Sequence, residues 1–314
     1  MPAGDANGRD RHGLPALLGA FTIWGLLPLY LRELQAVPPG QIMVQRLLWC
    51  CVFVLGWLQL RGELSEVRRA LAQPATRWRL SASAVLISIN WLTYVWAVSS
   101  GHVVESSLGY FINPLVNVAL GVLVLRERLD RVQWAAVACA AAGVAYLTWL
   151  AGAPPWIALV LAASFGTYGF VRKTVAVDSM AGLGSETLLL APLGLGYLVL
   201  CEATGQSVLG HVGPWVITLL IASGLVTAVP LWLFSYGARR VQYSTVGIVQ
   251  YIGPSLQLLL GVYVFHEPFA ADTALGFGLI WAGLALYAAD GLVLKRLRMS
   301  TVSGTGTGAG TRSG

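Results

Sequence analysis

The stretch Ser107–Arg128, SLGYFINPLVNVALGVLVLRER, returns in altered form as Gly247–Pro268, GIVQYIGPSLQLLLGVYVFHEP. At a constant offset of 140 residues, Ile112 falls on Ile252, Pro114 on Pro254, Leu120 on Leu260, Gly121 on Gly261, Val124 on Val264 and Glu127 on Glu267. Polar positions correspond too: Tyr110 with Gln250, and Asn117 with Gln257. A proline inside an apolar run, polar residues around it and a glycine seven residues on make a composite pattern that chance rarely repeats. The chain reads as an internal duplication, and a duplication sets architecture before any local detail does.

The surrounding composition says where such a repeat can live. Of the 314 residues 56% are apolar and only 11% charged, with a mean hydropathy of +0.70. Soluble domains carry roughly 25% charged residues, so this is the balance of an integral membrane protein. Ten apolar runs follow one another at 14–31, 42–60, 79–98, 103–125, 132–150, 155–171, 183–201, 214–236, 243–265 and 272–294. Most approach the ~20 residues that a helix needs to cross the hydrocarbon. The expected fold is therefore all-α and membrane-integral, with ten transmembrane helices. Residues 1–13 lack a small-residue cleavage site and read as a mature polar tail. Residues 295–314, rich in Gly, Ser and Thr, read as a disordered tail. The four cysteines and four histidines show no metal-ligand spacing, so neither cofactor nor metal is expected.

Charge placement orients the spans. With a cytoplasmic amino terminus, every one of the 20 basic residues except Arg32 and Arg46 falls in the tails or inward loops. Translocation disfavours positive loops, so both termini are expected in the cytoplasm. The net charge of +6 is then a topological signal, and no nucleic-acid partner is expected. Five spans per repeat is an odd number, so the second copy (155–294) must enter the membrane upside down relative to the first (14–150). Inverted repeats are a transporter design, with substrate bound near the midplane between the halves.

Polar residues at depth are the candidates for that binding. Pro114 and Pro254 fall mid-span, where proline frees a carbonyl one turn earlier. Tyr110, Asn113 and Asn117 follow helical spacing in span 4, and Gln250, Pro254 and Gln257 answer them in span 9. Two such stripes could line a shared cavity, or serve as interhelical hydrogen bonds. Trp24 and Tyr30 in span 1, with Asn90, Trp91 and Tyr94 in span 3, add aromatic surface suited to a flat organic solute, although each Trp could equally be packing. Two ionisable residues lie within runs, Arg46 in span 2 and Glu186 in span 7, and they too are 140 apart. An intramembrane charge needs a partner. Glu105 is the candidate for Arg46; Arg172, Lys173 or Arg239–Arg240 are those for Glu186. Such pairs would gate the two sides, and Glu105 or Glu186 could carry protons; snorkelling of Arg46 is the alternative. Small-residue faces in span 5 (Ala135, Cys139, Gly143) and span 10 (Ala274, Gly278, Ala282) suggest scaffold helices or a homodimer contact.

The strings QRLLW (45–49), INWLTYVWAV (89–98), VESSLGYFINPLVN (104–117), RERL (126–129), YGFVRK (168–173) and VQYIGP (249–254) resemble RarD-type permeases, an EamA-like branch of the drug/metabolite transporter superfamily. The resemblance runs from about Gly13 to Leu297. It implies two inverted five-helix halves in the inner membrane, and carries pathway roles to Arg46, Asn90, Trp91, Glu105, Tyr110, Asn113, Pro114, Asn117 and Glu186. It departs at Gln45, where the pattern has histidine, so no protonation role passes to that position. The family is named for chloramphenicol sensitivity. The expected function is thus a secondary permease for a small organic metabolite or drug, with a flippase for a lipid-linked substrate as the alternative. No GxxxxGK[ST] signature points to ATP, and no nucleophile–base set points to an enzyme.

Overall fold

The computed structural model describes residues 13–123, 131–152, 154–238 and 249–283, together with 285, 286 and 289. Every regular element among them is helical. The helices are α1 (Gly13–Arg32), α2 (Pro39–Leu60), α3 (Leu64–Ala72), α4 (Pro74–Ser99), α5 (Val103–Leu123), α6 (Arg131–Ala151), α7 (Trp156–Lys173), α8 (Ser179–Ala203), α9 (Pro214–Ala238) and α10 (Ile252–Leu259). Residues 271–283 are helical as well. Six of these helices are long and apolar enough to cross a membrane: α1, α2, α4, α6, α8 and α9.

Local chemistry explains the boundaries. Proline opens α2, α4 and α9, where its missing N–H is no loss and its fixed φ suits the first turn. Asp178 caps α8 by accepting from the Met180 amide at 3.0 Å. Helix α3 lies in the segment joining α2 to α4 and was not anticipated as a span, being short and charged. It packs Val67 and Ala70 against the bundle, beside Leu183 and Leu80, while Arg68 and Arg69 stay exposed.

Span 9 departs from expectation. Its described residues begin at Val249, form a turn at Gln250–Tyr251, and continue as α10 and a π-helical turn at Leu260–Val264. Pro254 sits in the first turn of α10. That position tolerates proline because first-turn amides lack intrahelical acceptors. Pro114 lies within α5, but the side chains of Pro114 and Asn117 fall outside the described residues, as do Arg239 and Arg240.

Contacts between helices recur at the repeat offset. A Cβ on Gly184 would stand 3.3 Å from Val54, and one on Gly194 would stand 3.2 Å from Val44, which is the same contact with both partners moved by 140. Where α6 meets the helix at 271–283, a Cβ on Gly143 would lie 2.8 Å from the Gly276 carbonyl, and one on Gly283 would lie 2.6 Å from that of Ala136. Gly25 abuts Leu256 and the Gly253 carbonyl; Gly166, one residue out of step, abuts Val116 and Asn113. Glycine is required at Gly143 and Gly283, where a Cβ would strike backbone carbonyls, whereas at Gly184 and Gly194 the neighbours are side-chain methyls that need give only slightly. Within the chain the crossing of α6 with the helix at 271–283 uses Gly276 and Gly283, while Gly278 of the small face expected in span 10 meets nothing within 4 Å.

Two apolar cores flank the centre. One gathers Leu31, Leu34, Ile42, Val95, Val98 and Leu220; the other gathers Cys50, Val54, Ile87, Trp91, Leu183 and Ala228. Along α2, Ile42 belongs to the first and Cys50 to the second, one turn either side of Arg46. Along α4, Asn90 and Trp91 lie at the same join. A polar layer is thereby held between two dry ones.

Candidate functional site

Arg46 lies in that layer, 4% exposed. Its Nε donates to Thr227 Oγ1 of α9 at 2.5 Å, and its guanidinium carbon stands 5.0 Å from the centroid of Trp91. Tyr30, Tyr94, Tyr110 and Cys50 are its electrostatic neighbours, and its Nη1 has no hydrogen-bond partner. Among the described residues no carboxylate comes within ion-pair distance. A buried charge without a counter-charge is costly, by several kcal/mol even after relaxation, and is retained at depth mainly where function needs it. Glu105, the expected partner, is engaged elsewhere: its Oε1 accepts from the Ile157 amide at 3.2 Å. The reason is local, since the N-terminus of α7 presents unpaired amides to a carboxylate one helix away. Glu267 does the same for α5, accepting from Val103 and Val104 at 2.6 and 2.7 Å.

Glu186 is the opposite case. It is 1% exposed, accepts from Ser83 Oγ at 2.6 Å and Tyr168 Oη at 3.3 Å, and stands 3.5 Å from Arg172 Nε. Of its anticipated partners Arg172 is in contact; the Lys173 side chain, Arg239 and Arg240 lie outside the described residues. The two repeat-related charges thus differ: one is neutralised within the protein and the other is not.

The remaining candidates divide into committed and uncommitted groups. Asn90 ties α4 to α7, donating to Leu161 O at 3.0 Å and Ser164 Oγ at 3.1 Å. Tyr30 donates to the Leu219 carbonyl. Trp24 packs against Phe21 and Phe234. Its carbonyl would ordinarily meet the amide four residues on, but that residue is Pro28; Gln257 Nε2 reaches across from α10 and donates to it at 3.1 Å. Gln250 is half-buried at the turn that precedes α10. Among the described residues Arg46 Nη1, Tyr94 Oη, Asn113 Oδ1 and Gln257 Oε1 are buried without a partner, as are Ser99 Oγ and Arg172 Nη1. Tyr94 and Tyr110 meet edge to face at 5.8 Å, and Tyr110 meets Phe165 at 6.1 Å, which lines the layer with rings. Such an arrangement can hydrogen-bond and stack a solute; it offers no nucleophile–base pair.

Sequence reading missed Thr227, Ser83 and Tyr168. A signal for one existed: Ser83 and Ser223 are 140 apart, and each hydroxyl oxygen lies within hydrogen-bond distance of the carbonyl of a leucine three residues earlier, Leu80 and Leu220, although the one Ser83 proton goes to Glu186.

Comparison with known proteins bears on this arrangement. Residues 11–149 and 154–289 each match the EamA-like transporter family. Protein RarD of Escherichia coli (strain K12) is 41% identical over 288 residues, covering 92% of this chain and 97% of its own. A protein described as uncharacterized transporter YojE, of Bacillus subtilis (strain 168), is 40% identical, covering 90% and 95%. A Pseudomonas aeruginosa protein named chloramphenicol-sensitive protein RarD is 31% identical, covering 90% and 96%. One crystal structure overlays with a TM-score of 0.58 at 21% identity, spanning 88% of this chain and 96% of that one, a likeness of fold.

Proposed function

The chain belongs to the EamA-like transporter family, RarD type, and is a multi-pass membrane protein; on that premise we propose that it is a secondary-active permease for a small organic metabolite or drug. Two inverted five-helix halves, ten spans in all, rock about the polar layer and expose it to each side in turn. The observation that carries this reading is the set of unpartnered buried atoms drawn from both halves: Arg46, Tyr94 and Asn113 from the first, Gln257 from the second. Polar atoms at such depth are normally satisfied, and leaving several open is consistent with a solute completing them. The recurring glycine contacts support the inverted arrangement.

Membership of the plasma membrane with both termini cytoplasmic belongs to the same reading. Its check is cysteine accessibility: His211→Cys should react with an impermeant maleimide in intact cells, and Ser65→Cys only after permeabilisation. Transport itself is tested by uptake and counterflow in proteoliposomes, with amino acids, nucleosides and chloramphenicol as solutes, with and without a proton gradient. Flux lost in Asn113→Ala protein that remains folded supports the site. Flux for none of the solutes, with lipid-linked substrates moving instead, would replace the permease by a flippase.

A further inference from the structure

We propose that the site around Arg46 receives an organic anion, a carboxylate or phosphate carried on a flat or apolar body. This deepens the permease reading and rests on it. Of the two buried charges related by the repeat, Glu186 has Arg172 at 3.5 Å, whereas Arg46 has no acid within reach among the described residues. Its electrostatic neighbours are three tyrosines and a cysteine, all neutral as ordinarily protonated. Among the described residues, then, Arg46 is a positive charge in this layer with no acid to compensate it.

The guanidinium is also fixed in place. Thr227 holds Nε, the Trp91 ring lies under one face, and at 4% exposure the group does not reach the headgroups. Nη1 stays unpartnered, and so does the Tyr94 hydroxyl. A planar fork with an open N–H, beside a free phenol, matches the two oxygens of a carboxylate or phosphate. The rings of Trp91, Tyr110 and Phe165 supply a surface for the rest of the solute. A neutral solute would leave the charge uncompensated, and a cation would be repelled. The anion supplies what Arg172 supplies to Glu186.

The test uses one ring with three charges: phenylacetate, phenylacetamide and phenethylamine, added to the full chain in phosphatidylcholine nanodiscs. Thermal unfolding is followed by tryptophan fluorescence. Phenylacetate should raise the midpoint while the other two do not. Arg46→Gln should weaken the phenylacetate response by roughly tenfold or more, the size of one charge-assisted hydrogen bond, without lowering the unliganded midpoint. A parallel series in nanodiscs containing phosphatidylglycerol separates sources: an Arg46-dependent rise with that lipid, and none with phenylacetate, supports the anion but assigns it to a headgroup. Equal shifts with all three probes, a phenylacetate response that survives Arg46→Gln, or no response to any anion up to ~10 mM, where even a ~1 mM affinity would register, overturns the proposal. Failure of the permease reading looks different, since it would show as absent flux with Arg46-dependent anion binding intact. Charge-blind flux would instead leave the permease standing and remove the anion.

Discussion

Replacing Glu186 by glutamine removes one member of a buried pair and strands the other. The carboxylate is 1% exposed and has three partners, Ser83, Tyr168 and Arg172. Breaking a buried ion pair by removing one partner costs ~3–5 kcal/mol, because the remaining charge is uncompensated. Two features reduce that figure here. Glutamine keeps an acceptor for Ser83 and Tyr168, and the Arg172 side chain, 15% exposed near the end of α7, can regain some water. The expected loss is about 2–3 kcal/mol, which corresponds to a fall in unfolding midpoint of roughly 4–8 °C for a chain of this size. The assay is thermal unfolding of purified protein in detergent micelles by circular dichroism. In the double variant Glu186→Gln/Arg172→Gln the stranded cation is gone, so most of the loss should be recovered, giving a coupling of ~1–3 kcal/mol between the sites. A single variant that melts within a degree of the parent would refute the reasoning, as would a double variant whose loss equals the sum of the singles.

Arg46→Met should melt at the parent temperature or higher, since no protein carboxylate is left unpaired, and should abolish flux in proteoliposomes; a fall of several degrees would make Arg46 a packing cation. Gly143→Ala and Gly283→Ala should each lose ~1–3 kcal/mol from overpacking against carbonyls 2.8 and 2.6 Å from the new Cβ, offset by the ~1 kcal/mol that alanine gains over glycine in a helix. Repeat-related contacts should respond alike, and a loss confined to one glycine would count against the shared crossing. Glu267→Gln should weaken the cap on α5 by ~1 kcal/mol and speed amide exchange at Val103 and Val104, leaving Ile157, which Glu105 holds, unchanged.

Span 4 illustrates what hydropathy alone can read: an apolar run over 103–125 becomes α5 at Val103–Leu123. Span 9 illustrates the limit. Its apolar run is continuous in sequence, yet Gln250–Tyr251 form a turn ahead of α10, because hydropathy reports the solvent a segment prefers and not whether its backbone stays helical. Proline at 254 was visible, but whether it kinks a helix or restarts one depends on what accepts the freed groups. Among site residues, the depth of Arg46 and Glu186 was legible because a charge in an apolar run stands out. Their partners were not: serine, threonine and tyrosine are unremarkable in a membrane span until a charge faces them.

The sequence by itself determined the duplication, the positions of most spans, the asymmetry of basic residues and the family, since all are properties of order along the chain. Only the tertiary structure decided which polar group meets which. Arg46 reaches Thr227 across 181 residues, and Gln257 fills the carbonyl left open by Pro28 across 233. In hydrocarbon an unpartnered polar group is costly, so most polar groups at depth find partners within the chain. Which ones they are depends on how each helix is rotated and how closely neighbours approach, and those are fixed by packing of the whole bundle.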